Sequence, residues 1–325
     1  MKAPGFWHRP AGFASAMLSP LAAIYAAGTA RRIAKATPVA LDIPVICVGN
    51  INVGGTGKTP TVMALVERLS ARGLSPHVVS RGHGGSLDGP VQVNERAHRA
   101  DEVGDEPLLL SAFGPVWVAK DRAAGARAAA KAGADVIVLD DGHQNPSVRK
   151  DISVVVVDAV RGFGNKRVLP AGPLREPLEV GLARADILLS IGSPRAQARF
   201  GGLNDLPEEL PHMAGALTPL QTGMEWDGLR VLAFAGIGMP EKFFATLERQ
   251  GAEIVKSEAL DDHQPLSDAL MARLLAEAQG LGAQLVTTEK DAVRLPASYR
   301  AQVLTLPVRL SVDDWSSFDA LLPAL

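Results

Sequence analysis

Val48-Gly-Asn-Ile-Asn-Val-Gly-Gly-Thr-Gly-Lys-Thr-Pro60 leaves the apolar run Ile43 to Val48, turns through glycines and enters a helix-like segment at Thr59. Small residues let backbone N–H groups close on an anion, and a helix N-terminus adds partial positive charge. Lys58 is placed to neutralise β- and γ-phosphates, and the Thr59 hydroxyl to hold Mg²⁺. Asn52, Val53, Gly54, Gly55, Thr56, Gly57, Lys58 and Thr59 therefore read as a phosphate cradle. The first glycine of the G-x-x-x-x-G-K-S/T pattern falls on Asn52, where a short Asn is expected to turn the chain at positive φ.

Further apolar runs recur with helical segments between them: His77 to Val79, Val116 to Val118, Val136 to Leu139, Ile152 to Val157 and Ile187 to Ile191. Several are continuous rather than alternating, as strands covered by helices on both faces must be. Thr61 to Arg72 places Val62, Leu65, Val66 and Leu69 at helical spacing and stops at Gly73; Asp121 to Ala132 is alanine-rich before Gly133. The expected fold is α/β, a P-loop NTPase-like, doubly wound, mainly parallel sheet. Gly192 to Asp227 contains Pro194, Pro207, Pro211 and Pro219 and little periodicity, so the domain linkage is expected there. A second, smaller α/β lobe follows, with strands at Val231 to Ala235, Gln284 to Thr287 and Val303 to Leu306 and a helix from Glu241 to Gln250. The turn Gly236-Ile-Gly-Met-Pro240 lacks the third glycine of a dinucleotide fingerprint and reads as a tight strand-to-helix connection. The resulting division is an N-terminal helix over 1–35, a P-loop core over 36–215 and a C-terminal lobe over 225–325.

With 33 basic and 35 acidic residues and a net charge of -2, the chain carries no polybasic footprint, and no nucleic-acid partner is expected. Its single cysteine, Cys47, excludes an internal disulfide and reads as a small buried residue of the strand before the cradle.

Ala11 to Ala30 carries no charge and is bracketed by His8-Arg9 and Arg31-Arg32. A cleaved signal peptide would export the phosphate loop away from nucleotide, and Pro20 with many alanines and glycines makes the run weakly apolar for a span. The preferred reading is a membrane-interfacial helix. Phe6, Trp7, Phe13, Met17, Leu18, Leu21, Ile24 and Tyr25 would enter the headgroup boundary while Arg9, Arg31, Arg32 and Lys35 meet anionic lipid.

Val136-Ile-Val-Leu-Asp140-Asp141-Gly142 ends an apolar strand in paired carboxylates, where a P-loop fold places the acid that helps hold Mg²⁺. Val154-Val-Val-Val-Asp158 has the same form, but adjacent carboxylates are costly to hold together without a cation, which favours Asp140 and Asp141. Val103-Gly-Asp-Glu-Pro107 precedes a helical run, so Asp105 or Glu106 either caps that helix or, for Asp105, serves as the base for an alcohol. Leu169 to Pro177 is too proline-rich for a strand or helix and reads as a rigid loop presenting Arg175 to a phosphate and Glu176 to a metal or sugar hydroxyl. Asp261-Asp-His-Gln-Pro265 sets a histidine beside acids, and Thr287 to Arg294 ends a strand with dense charge, a hinge or cleft edge.

Taken in order, GNINVGGTGKTP, SRGHGG (Ser80 to Gly85), VGDEP, DDGHQ (Asp140 to Gln144), RGFGNKRVLPAGPLREP (Arg161 to Pro177), AGIGMPEKFF (Ala235 to Phe244), DHQ (Asp262 to Gln264) and TTEKDAVR resemble the tetraacyldisaccharide 4'-kinase family over nearly the whole chain. That resemblance implies a two-lobed P-loop kinase, a monomer bound at the cytoplasmic face of the bacterial inner membrane, using ATP and Mg²⁺ to phosphorylate the 4'-hydroxyl of an acylated glucosamine disaccharide lipid. It further implies that Lys58 and Thr59 bind nucleotide and metal, that Asp105 and His263 activate the sugar hydroxyl, that Asp140, Asp141 and Glu176 organise Mg²⁺, and that Arg122 and Arg175 contact phosphates or substrate. The alternative is a nucleotide-driven switch or metallochaperone-type ATPase with a similar loop. Guanine specificity is not expected, since Asn165-Lys166 is followed by Arg167-Val168 and no N-K-x-D motif occurs.

Overall fold

The computed structural model describes residues 4–203 and 206–322; the ends of the expected first and last segments lie outside the described residues. Helix α1 (Phe13–Ala34) runs through Pro20, and its last turn carries Arg31 and Arg32. Phe13, Met17, Leu21 and Ile24 form an exposed apolar row, with Phe13 83% exposed, whereas Ser15, Ala22 and Thr29 are buried. At 100° per residue these two sets lie on opposite faces. The Ser15 hydroxyl donates to the Ala171 carbonyl at 2.8 Å and accepts from the Asn165 amide, so the inner face is seated on the proline-rich loop. Trp7 departs from the expectation that it enters lipid. Its indole donates to the Pro170 carbonyl at 3.1 Å and its carbonyl accepts from Asn165 N, because an aromatic N–H needs a partner and the loop supplies one.

Strand β1 (Val45–Gly49) is buried along its length and feeds the cradle, which ends at Gly57, the left-handed N-cap of α2 (Lys58–Ala71). An added Cβ at Gly57 would lie 2.6 Å from Ile191 Cδ1, so both φ of +97° and close packing require glycine there. The alternation continues through β2 (Pro76–Ser80), β3 (Val91–Gln92), α3 (Ala100–Val103), α4 (Asp105–Leu110), β4 (Val116–Val118), α5 (Arg122–Lys131), β5 (Val136–Asp140), β6 (Ile152–Asp158), α6 (Leu178–Leu182), β7 (Ile187–Ile191), α7 (Pro194–Leu203) and β8 (His212–Pro219). The second lobe follows as β9 (Arg230–Ala235), α8 (Pro240–Arg249), β10 (Glu253–Ala259), α9 (Asp268–Gly280), β11 (Gln284–Thr288), α10 (Glu289–Ala292) and β12 (Val303–Leu306); β13 (Val308–Val312) and α11 (Ser316–Asp319) close the described chain.

Among the described residues the large sheet has the order β13-β8-β7-β6-β1-β5-β2-β4-β3, and the small one β10-β9-β11-β12. Every pairing in the large sheet is parallel except at its edges, β3 with β4 and β13 with β8. The cradle thus leaves a central strand flanked by β5 and β6, and the β5 terminus carries Asp140 beside it.

Two findings correct the expected domain layout. The stretch read as linkage holds α7 and β8, and β8 extends the large sheet parallel to β7. The C-terminal segment does not stay with the second lobe: β13 pairs antiparallel with β8, Phe318 enters the large core, and Asp319 is paired with Arg68 and Arg72 of the α2 region. Both strands lie toward one sheet edge and are held by a partner about 90 residues away in sequence, a pairing local periodicity does not report.

Candidate active site

The cradle is held open by its own side chains. Asn50 donates to the Gly54 carbonyl at 3.3 Å and to the Thr56 hydroxyl at 3.0 Å. Asn52 is not at positive φ; its amide donates to the Gly162 carbonyl at 3.0 Å and its backbone bridges to Leu174, so it ties the cradle to the Leu169–Pro177 loop. The pattern's first glycine is unnecessary here because the chain is turned by this tether and by Gly54 at φ +107°.

Asp140 and Asp141 stand beside the cradle in different environments. Asp141, at φ +49°, accepts from Arg175 at 3.0 and 3.2 Å and lies 3.7 Å from Lys58 Nζ. Burial pushes its pKa up, but Lys58, Arg175 and Arg122 together hold it below the usual carboxylate value. Asp140 is buried and accepts from the Ser80 hydroxyl at 3.0 Å. Burial, then Glu106 and Asp141, raise its pKa to about 6 against the pull of Lys58 and Arg122. A carboxylate so short of positive charge is suited to a cation. Arg122 is 5% exposed and touches the Asp141 carbonyl at 3.5 Å, and its Nε and Nη1 have no hydrogen-bond partner. Buried, unused guanidinium donors beside a phosphate cradle fit a polyphosphate ligand.

Glu176 lies buried next to the Arg175 side of the site. It is 1% exposed, pairs with Arg184 at 2.8 Å and accepts from Gln144 at 2.9 Å. Its Oε2 is buried and accepts no hydrogen bond, and among the described residues no three His, Cys, Asp or Glu side chains gather into a metal cluster. The residues present fit Mg²⁺ of the nucleotide-bound kind, which takes one or two carboxylates and completes its shell with phosphate and water. Asp158, the rival acid, accepts from Val160 N at 2.8 Å as a turn cap and pairs with Lys242 of the second lobe.

The lobes meet over the cradle. A Cβ on Gly238 would lie 3.7 Å from both Gly55 N and Asp262 Oδ2, so the second lobe's glycine turn sits against the phosphate loop with the Asp262-His263 pair adjoining it. His263, at φ +59°, places Nδ1 2.9 Å from Asp105 Oδ2. Asp105 is 4% exposed and follows Gly104, the α4 cap; its other oxygen accepts only the neighbouring Glu106 N–H at 3.0 Å. It is therefore not the helix cap its position suggested. Burial raises its pKa, but the His263 hydrogen bond with Lys290 and Arg294 brings it below the ordinary value. His263 is raised by Asp105, against burial and Lys290. Lys290 and Arg294, in the segment read only as a cleft edge, lie 4.0 and 3.7 Å from Asp105 Oδ2. The dense charge of Thr287 to Arg294 was the one signal for them. His143 is a structural residue, neutral with its pKa lowered to about 4 by burial, and its ring nitrogen meets the Gly181 carbonyl at 2.9 Å.

A glycine cradle capping a helix, a lysine and paired acids at the central strands' ends, and a carboxylate–histidine pair closing from a second lobe define a P-loop phosphotransferase acting on a hydroxyl. The sequence profile of the tetraacyldisaccharide-1-P 4'-kinases (LpxK) matches residues 14–325. The chain belongs to this family. A tetraacyldisaccharide 4'-kinase of Dinoroseobacter shibae is 64% identical, covering 100% of this chain and 98% of the relative. That of Jannaschia sp. is 62% identical, over 98% of each chain. A crystal structure of LpxK from Aquifex aeolicus in complex with ATP has a TM-score of 0.77 at 25% identity, covering 95% of this chain and 98% of that one.

Proposed function

We propose that the chain transfers the γ-phosphoryl group of ATP to the 4'-hydroxyl of a tetraacylated glucosamine disaccharide 1-phosphate, giving the bisphosphorylated lipid A precursor. The observation that carries this reading is the Asp105–His263 pair, formed between lobes beside a complete phosphate cradle. Bound Mg-ATP supplies the phosphoryl group and charge neutralisation at it. Residues 52–59 would hold the polyphosphate through backbone N–H groups, with Lys58 exchanging Asp141 for phosphate. Asp140 and Thr59 would hold the cation with Asp141 next to it, and Glu176, anchored by Gln144 and Arg184 with Oε2 free of hydrogen bonds, would help organise that shell. Arg122 and Arg175 would meet phosphate oxygens. Asp105 takes the hydroxyl proton while His263 orients it, and the second lobe's turn excludes water from the cradle.

The protein works at the cytoplasmic surface of the inner membrane as a monotopic monomer. Support comes from the exposed row Phe13, Met17, Leu21 and Ile24 opposite a seated face, with Arg31 and Arg32 at its end. Incubating the protein with labelled ATP and a lipid A disaccharide monophosphate tests the proposal; a bisphosphorylated lipid is expected. ATP hydrolysis without labelled lipid, or label on a water-soluble acceptor only, would overturn it.

A further inference from the structure

Lys290 begins no motif of the phosphate cradle, yet its ammonium sits at the centre of the charge cluster where the lobes meet. Nζ lies 3.0 Å from Glu106 Oε1, 3.4 Å from His263 Nε2 and 4.0 Å from Asp105 Oδ2. An ammonium has three donors and no acceptor, so it engages an imidazole nitrogen only through a lone pair. Nε2 must then be unprotonated, which leaves the ring proton on Nδ1, 2.9 Å from Asp105 Oδ2. We infer that Lys290 is a positioning residue that fixes His263 as the neutral Nδ1–H tautomer and aims that proton at Asp105. This rests on Asp105 being the base, since the consequence is catalytic: Asp105 meets the alcohol as a carboxylate, steered by a donor that carries no charge of its own.

The surroundings show why a cation is needed at this point. His263 faces Asp105 from α4, Asp262 at 3.7 Å from its own loop, and the His83 ring at 5.9 Å. The other cation near Asp105, Arg294, is paired with Asp291. Without Lys290, two carboxylates, Asp105 and Asp262, would flank the imidazole with no cation beside it. It would then take a second proton, and Asp262 would compete with Asp105 for it. Glu106 holds Lys290 in place, which assigns the two acids of VGDEP separate tasks: Asp105 acts on the substrate and Glu106 anchors the ammonium.

Nitrogen-15 NMR of histidine-labelled protein, with the His263 signal assigned by His263→Asn, reads the tautomer directly and without turnover. The wild type should show an Nδ1–H imidazole at pH 8. In Lys290→Met the His263 titration should move up by about one unit or more, since a neighbouring charge shifts a pKa by that much. The acid limb of kcat should follow it, kcat at pH 7 should fall by up to about tenfold per unit of that shift, and KM for ATP should stay within about twofold. Lys290→Arg should restore the wild-type titration. Should Lys290→Met fail to fold, Lys290→Gln keeps a donor without the charge and should preserve the tautomer while still raising the titration. An unchanged His263 titration in Lys290→Met and Lys290→Gln would overturn the inference. The base assignment fails separately: Asp105→Asn retaining turnover would sink it while leaving the NMR result intact.

Discussion

Ser80 Oγ donates to Asp140 Oδ2 at 3.0 Å, joining the carboxyl ends of β2 and β5 beside the phosphate cradle. The bond fixes one oxygen of Asp140 and leaves the other to a cation. Ser80→Ala should weaken Mg²⁺ affinity by about 10- to 100-fold, the usual cost of losing a partner that orients a ligand. Titrating Mg²⁺ into the nucleotide-loaded protein checks this; unchanged affinity would mean that Asp140 is not the metal's carboxylate.

Lys58 faces Asp141 at 3.7 Å where a phosphate would otherwise meet it. Lys58→Ala should lower kcat by about 10²- to 10³-fold, in line with removing one charge-stabilising donor from a transferring group. Single-turnover assays with labelled ATP would expose the error if the rate stayed high.

Asp105→Asn keeps the shape of the base and removes its charge. Turnover should drop by about 10²- to 10⁴-fold with ATP affinity retained. Equilibrium nucleotide binding measured beside the kinetics separates a lost base from a lost fold.

Asp140 has a folded pKa of about 6, above the 3.8 of the unfolded chain. The folded protein therefore holds a proton that the unfolded chain releases, and this group's contribution to stability is lost as pH rises from 3.8 through about 6. At pH 7.5 the metal-free Asp140→Asn variant should melt at a higher temperature than the wild type, and the difference should vanish near pH 4. Because Mg²⁺ must displace that proton, its affinity should fall about fourfold between pH 7.5 and 5.5. Calorimetric melting at the two ends of this range, with and without Mg²⁺, is the check; a wild-type excess at pH 7.5 would contradict the sign.

The row Phe13, Met17, Leu21 and Ile24 faces away from the loop that seats α1. Replacing Met17, Leu21 and Ile24 together by Ser should reduce binding to anionic vesicles by more than about tenfold, since each such side chain gains about 1.5–3 kcal/mol on full burial. Melting temperature and ATP binding should be unaffected, as these side chains do not enter the core. Equal flotation of variant and wild type would remove this face from the membrane account.

Local pattern made part of this protein legible. Val45–Gly49, Val136–Asp140 and Ile152–Asp158 are continuous apolar strands because helices cover both faces, and Gly57-Lys58-Thr59 must follow a strand and open a helix to work at all. Those features depend on near neighbours, which periodicity records. Asp105 and His263 are 158 residues apart, and their pairing was available in advance only through the family resemblance. Glu176 adds what its loop could not report: Arg184, eight residues on, pairs with it and leaves Oε2 buried without a hydrogen bond.

The order of residues alone thus determined a central strand, its phosphate-binding turn, a helix N-terminus and the reaction class. Tertiary structure decided that Asp141 is ion-paired with Lys58 and Arg175 while burial outweighs the cations near Asp140, that β13 returns to the large sheet, and that Lys290 stands between Glu106 and His263. The division has a physical cause: backbone geometry and burial periodicity are set within a few residues, whereas charge compensation and sheet-edge pairing depend on distances that exist only after the chain has closed on itself.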